Sequence, residues 1–200
     1  MQFAKRVVLV IIGLSLLALG AALLSASGVG VDPYTAMNFG IGQVTGIGLG
    51  NAQLLVNVIL IIFVLFNRRS VIGLGTLINI VFVGYAVQFF SGFLNNGPIN
   101  LQANYFMMAV GLVVGVLLYA LGITMYVDAG LGQSPYEAVA PIVSDMLDKS
   151  YTSVRTVQDV LVLLLAMVCA GFTFVGIGTI LCAFGTGILI TFWRKVLPSI

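Results

Sequence analysis

The chain has 200 residues, of which 60% are hydrophobic and 7% charged, with a mean hydropathy of +1.18. A soluble domain carries about 25% charged residues, so this supply cannot build a soluble surface, and 1–200 reads as a single transmembrane domain in the lipid bilayer. A net charge of +2 without a dense Lys/Arg patch excludes nucleic acid as a partner, and no histidine beside two lone cysteines, Cys169 and Cys182, leaves no metal, cofactor or disulfide framework to expect.

Lys5 and Arg6 precede an apolar run that ends in the small residues Ser25, Ala26 and Ser27. The pattern imitates a cleaved signal sequence, but the run has a counterpart deep inside the chain, which argues for a retained first span over 7–26. A glycine-rich segment follows, opened by "GVGVDPYTA" from Gly28 to Ala36 and carrying Gly40, Gly42, Gly46, Gly48 and Gly50. Spans are predicted at 52–66, 71–93 and 105–127, the first of these short for the roughly 17–25 residues a crossing needs and recruiting its flanks. The segment 128–152 contains "GLGQSPYEA", Gly130 to Ala138, and carries Glu137, Asp145, Asp148 and Lys149, so it does not cross lipid. Spans at 156–172 and 174–193, joined by a tight turn near 171–173, complete six.

The eight basic residues fix the expected orientation. With the N-terminus in the cytoplasm, Lys5, Arg6, Arg68, Arg69, Lys149, Arg155, Arg194 and Lys195 all fall inside, and the opposite loops carry none. Both termini are then cytoplasmic, and a seventh crossing at 33–49 would move Arg68 and Arg69 outside.

Shifting the chain by 102 residues places Ala18-Leu19-Gly20 on Ala120-Leu121-Gly122. The same shift places Gly28, Gly30, Pro33, Tyr34 and Ala36 on Gly130, Gly132, Pro135, Tyr136 and Ala138, and Asn57 on Asp159. One inserted residue then aligns "IGLGT" at 72–76 with "VGIGT" at 175–179. The expectation is two repeats, 1–94 and 103–200. Three spans in each force them to cross the membrane in opposite senses, an inverted repeat of the kind transporters and channels use, with a site at the repeat interface. The predicted fold is therefore all-α, with six transmembrane helices as two inverted three-helix repeats, each with a Gly-rich loop and a short helix after its first span.

Each phrase reads as a flexible Gly-x-Gly joint followed by a helix start. Ser134, Pro135 and Glu137 match N-cap, N1 and N3 of a capping box, and Asp32 and Pro33 match N-cap and N1. The short helices are expected to fold back into the bundle as re-entrant elements or to lie against it, since irregular backbone at membrane depth survives only against protein or water. Helix N-termini favour anions, but Asp32 and Glu137 already supply negative charge, which leaves cations, protons and polar neutral solutes open. Asp159 lies one turn past Arg155 and reads as an i, i+4 ion pair or, with Asn57, as a symmetric polar pair beside a site. Asn79, Gln88, Thr76 and Thr179 read as interhelical glue, and Gly111-x-x-x-Gly115 as a packing face. "GIGLG" at 46–50 follows no strand, so it is not a nucleotide fingerprint. With no base for Ser134, no catalytic residue and no enzyme are expected.

The doubled phrase, the "GLGT"/"GIGT" echo and the length resemble the YczE/YyaS/YitT group of bacterial integral membrane proteins. The likeness covers nearly the whole chain and implies the bacterial cytoplasmic (inner) membrane; larger YitT-like members add a soluble C-terminal domain that the sequence lacks. The expected function is a small transporter or channel-like protein for a small polar or charged solute. Its candidate binding residues are Gly28, Gly30, Asp32, Pro33, Tyr34, Asn57, Gly130, Gly132, Ser134, Pro135, Tyr136, Glu137, Arg155 and Asp159. Alternatives are a substrate-capture subunit of a multi-component importer and a non-transporting membrane regulatory or assembly protein. Expected partners beyond the solute are a second copy of the chain or importer subunits.

Overall fold

A computed structural model describes residues 2–197, and among these the regular structure is helical, with no strand. The helices are α1 (Gln2–Ala26), α2 (Pro33–Thr45), α3 (Gly48–Asn67), α4 (Leu74–Asn95), α5 (Tyr105–Asp128), α6 (Pro135–Leu147), α7 (Tyr151–Ala170) and α8 (Ile177–Val196). Six of them, all but α2 and α6, are long and apolar enough to cross a membrane. At 13 residues each, α2 and α6 reach only about 20 Å, short of the roughly 30 Å hydrocarbon core.

Helix ends follow local chemistry. Asp32 caps α2 by accepting from the Thr35 amide at 3.0 Å, and Ser134 caps α6 by accepting from the Glu137 amide at 3.2 Å. The expected capping box on α6 is half made, because the Glu137 carboxylate turns to Arg155 instead of the cap backbone. The glycine joints take the left-handed conformation that only glycine adopts freely, with φ of 87° at Gly30 and 113° at Gly132.

Among the helix boundaries that differ from the sequence expectation, three starts have a clear local cause. α3 starts at Gly48 rather than 52, because Gly50 lets the Tyr85 ring of α4 lie on its backbone. α7 starts at Tyr151 rather than 156, since Ser150 supplies a cap, accepting from the Ser153 amide. α8 starts at Ile177 rather than 174, and 171–176 is a longer connection than a tight turn, because the carbonyl of Phe174 is engaged by the first Gly-x-Gly loop.

The centre of the bundle is the α1–α5 pair. Gly13 meets Gly122, Gly20 meets Gly115, and Ser27 meets Gly111, so the two helices run antiparallel with backbones nearly touching. A Cβ on Gly20 would lie 2.6 Å from the Gly115 carbonyl oxygen, so small residues set this approach. Around it, α4 packs on α1 and α8 on α5, α2 packs on α7 and α3 on α6. Contacts between the loops come in pairs at the same offset as the sequence echo. Gly178 donates to the Val29 carbonyl and Gly75 to the Leu131 carbonyl, both at 2.7 Å; Val31 donates to Phe174 at 3.1 Å and Gln133 to Val71 at 3.0 Å. One pair of seams is unequal: α3 packs closely on α4, whereas α7 and α8 barely touch.

Candidate functional site

The first turns of α2 and α6 meet inside the bundle. Tyr34 and Tyr136, equivalent residues of the two phrases, stack with ring centroids 4.4 Å apart and planes 23° from parallel. The Tyr34 hydroxyl donates to Asn57 Oδ1 at 2.8 Å, and the Tyr136 hydroxyl donates to Asp159 Oδ1 at 2.5 Å. Burial holds both phenols well above their ordinary range, so both are neutral donors.

The second phrase builds an ion network around this stack. Arg155 donates from Nη1 and Nη2 to Glu137 at 2.7 and 3.2 Å and from Nε to Asp159 at 3.1 Å. Its guanidinium lies 4.9 Å from the Tyr136 ring centroid, a cation–π distance. Asp159 thus serves both sequence readings at once, as the i, i+4 partner of Arg155 and as the acceptor for Tyr136. At the matching positions of the first phrase stand Thr35, Gln53 and Asn57, all buried and uncharged, in place of Glu137, Arg155 and Asp159.

A cavity of about 230 Å³ lies beside the stacked tyrosines, bounded by Asp32, Tyr119, Tyr136, Glu137, Arg155 and Asp159. A neighbouring groove of about 280 Å³ runs between α7 and α8, reaching Arg155 and Asp159 past Val160, Ala183 and Phe184. A small pocket of about 50 Å³ sits on the other side of the stack, against Gln53, Tyr126 and Ser134. Asp32 is 4% exposed; its Oδ2 has no hydrogen-bond partner, with the Tyr119 hydroxyl close to the same carboxyl. Burial pushes the Asp32 carboxyl above the usual range, with the negative charge of Asp159 adding to it and the Thr35 and Tyr119 groups opposing. Gln53 Oε1, Asn57 Nδ2 and the Tyr126 hydroxyl are likewise buried without a partner.

The sequence-predicted residues divide into two sets. Asp32, Pro33, Tyr34, Tyr136, Glu137, Arg155 and Asp159 line the 230 Å³ cavity, while Ser134 faces the small pocket and Asn57 holds Tyr34 from behind. Gly30 and Gly132 sit instead at the loop junctions, where a Cβ would collide with Gly176 and Gly73 respectively. Gly28 and Gly130 shape turns with φ of 67° and 66°, and Pro135 starts α6. Thr76 and Thr179, read as interhelical glue, accept instead from the Gly73 and Gly176 amides of their own helix starts at 3.1 Å each. Gln88 does bridge helices, accepting from the Gly50 amide at 2.9 Å. Asp128 pairs with Arg194 at 2.8 Å. Sequence reasoning missed Tyr119 and Gln53. Gln53 was within reach, since the 102-residue shift sets it on Arg155; Tyr119 falls on Leu17 and gives no such signal.

A family described as of unknown function, DUF6198, matches residues 4–195. The uncharacterised membrane protein YczE of Bacillus subtilis strain 168 is 26% identical over 181 residues, 90% of this chain and 81% of that protein. An uncharacterised protein of Haemophilus influenzae strain Rd is 27% identical over 197 residues, 98% of this chain and 86% of its own length. YyaS of Bacillus subtilis, also uncharacterised, is 28% identical over 180 residues, 90% and 87% of the two chains. No solved structure matches.

Proposed function

The chain belongs to DUF6198, a family of unknown function, and from that premise we propose that it is a bacterial inner-membrane transporter for a small polar or charged solute, carrying out no chemical reaction. Its two inverted repeats, 1–94 and 103–200, bind the solute where their phrases meet. One observation carries this reading: two seams occupy matching positions in the two repeats, and the α7–α8 seam beside the polar cavity gapes while the α3–α4 seam beside the small pocket is closed. At the closed α3–α4 seam, a Cβ on Gly84 would lie 2.9 Å from the Gln53 side chain; on α8, Gly185 and Gly187 face open space. In an inverted repeat, exchanging the two seam conformations opens the site to the other side of the membrane, which is alternating access.

The test is solute uptake by reconstituted vesicles, with Leu163→Cys on α7 and Ala183→Cys on α8 in a chain whose Cys169 and Cys182 are replaced by Ser. Saturable uptake that stops on cross-linking and returns on reduction supports the proposal. Uptake unaffected by the cross-link, or none across anions, cations, amino acids and vitamins, overturns it. The runner-up, a capture subunit of an importer, draws on the large apolar faces that α7 and α8 leave uncovered; co-purification of partner subunits distinguishes it.

A further inference from the structure

The chemistry of the central cavity narrows the solute class. Arg155 is its one cation, and all three guanidinium nitrogens are engaged by Glu137 and Asp159. Three of its five N–H donors are taken by two carboxylates that more than neutralise it, so an incoming anion meets no free positive charge. With Glu137 and Asp159 ionised, the network of these three groups carries one net negative charge before Asp32 is counted. Asp32 itself is buried and lines the cavity, and its Oδ2 has no hydrogen-bond partner. A buried carboxylate oxygen left unmatched wants a donor, and a charged donor most.

A bare metal ion is a poor occupant, since hard cations such as Ca²⁺ and Mg²⁺ take about six or more oxygen ligands and no three-residue cluster of metal-ligating side chains exists among the described residues. An organic ammonium needs less: one ionic hydrogen bond and aromatic surface for its apolar flank. Tyr34, Tyr119 and Tyr136, which also line the cavity, supply that surface. The volume of about 230 Å³ corresponds to roughly seven or eight water volumes, which suits a solute of few heavy atoms.

We infer that this cavity binds a small organic cation through its ammonium group, with Asp32 Oδ2 as the principal acceptor and the tyrosines around its carbon chain. The inference deepens the transport proposal and rests on it for flux, though not for binding. The titratable and charged groups lining the cavity with Asp32 are Tyr34 on its own helix, Tyr119 on α5, Tyr136 and Glu137 on α6, Tyr151, Arg155 and Asp159 on α7, and Cys182 on α8. Burial in that setting favours the protonated carboxyl. Where Asp32 is protonated, binding exchanges charge for charge: the Asp32 O–H bond breaks, one proton leaves to solvent, and one ammonium takes its place on the carboxylate.

The experiment measures binding of methylammonium and ethanolamine to the detergent-purified chain by calorimetry at pH 6 and pH 8. Potassium, acetate and alanine serve as comparison solutes, and Asp32→Asn and Asp145→Asn as variants. Asp145 is an exposed acid outside the cavity. The expected result is saturable amine binding, at least tenfold weaker in Asp32→Asn and unchanged in Asp145→Asn. It should be tighter at pH 8 than at pH 6 and release up to one proton per amine, read from the buffer dependence of the heat. No amine binding to folded wild type, or equal binding by a folded Asp32→Asn, overturns the inference. Flux of acetate or alanine without amine binding would sink the cation assignment and leave transport standing; amine binding without flux would do the reverse.

Discussion

Tyr34 and Tyr136 occupy one position in two copies of a phrase, yet their hydroxyls meet a neutral amide on one side and a carboxylate on the other. The same division runs through Thr35 against Glu137 and Gln53 against Arg155, so the ion network belongs to the second copy, while the first contributes the single acid Asp32 opposite the neutral Ser134. This much was legible in the sequence, because a fixed register delivers residue pairs without any knowledge of packing. The stack itself was not legible, since nothing in the spacing of two distant phrases says that their helix starts face each other. Asp32 yields a prediction at this scale. Its carboxyl titrates higher folded than unfolded, so its stabilising contribution is complete below the unfolded carboxylate range near pH 4 and is lost as pH rises through the folded value. Asp32→Asn keeps a competent N-cap and never carries charge. Its melting temperature in detergent should exceed that of wild type at pH 8, with the gap shrinking toward pH 4.

Between helices, glycine marks where backbones meet and where they do not. Gly20 and Gly122 hold α1 against α5, and a Cβ on either would run into the opposing backbone. Gly122→Ala should therefore cost about 1–3 kcal/mol, a fall of roughly 2–12 °C in melting temperature for a chain of this size. Gly187→Ala, on the open face of α8, should not lower it. The six spans could be read from hydropathy because lipid demands long apolar runs. Their ends could not, because Gly50, Ser150 and Phe174 act through partners far along the chain or through caps that hydropathy ignores. Thr76 and Thr179 were misread for a related reason: a hydroxyl in a span satisfies a neighbour or its own helix start equally well, and only geometry separates the two.

Taken whole, the chain carries its basic residues at one set of helix ends, and the orientation this implies can be checked directly. A reporter enzyme active only outside the cytoplasm should be active when fused after residue 100 and silent after residue 149; the opposite pattern would invert the assignment. The loop pairing described above has a separate consequence for how the protein is made. The amide of Val31 finds its acceptor at Phe174, and the Val29 carbonyl finds its donor at Gly178. At roughly 5–20 residues per second, the first loop waits on the order of ten seconds before the ribosome delivers its partner. The amino-terminal half is an unfinished assembly intermediate for that interval, vulnerable to proteolytic surveillance. A gene cut within codons 96–103 should yield halves that accumulate only when synthesised together.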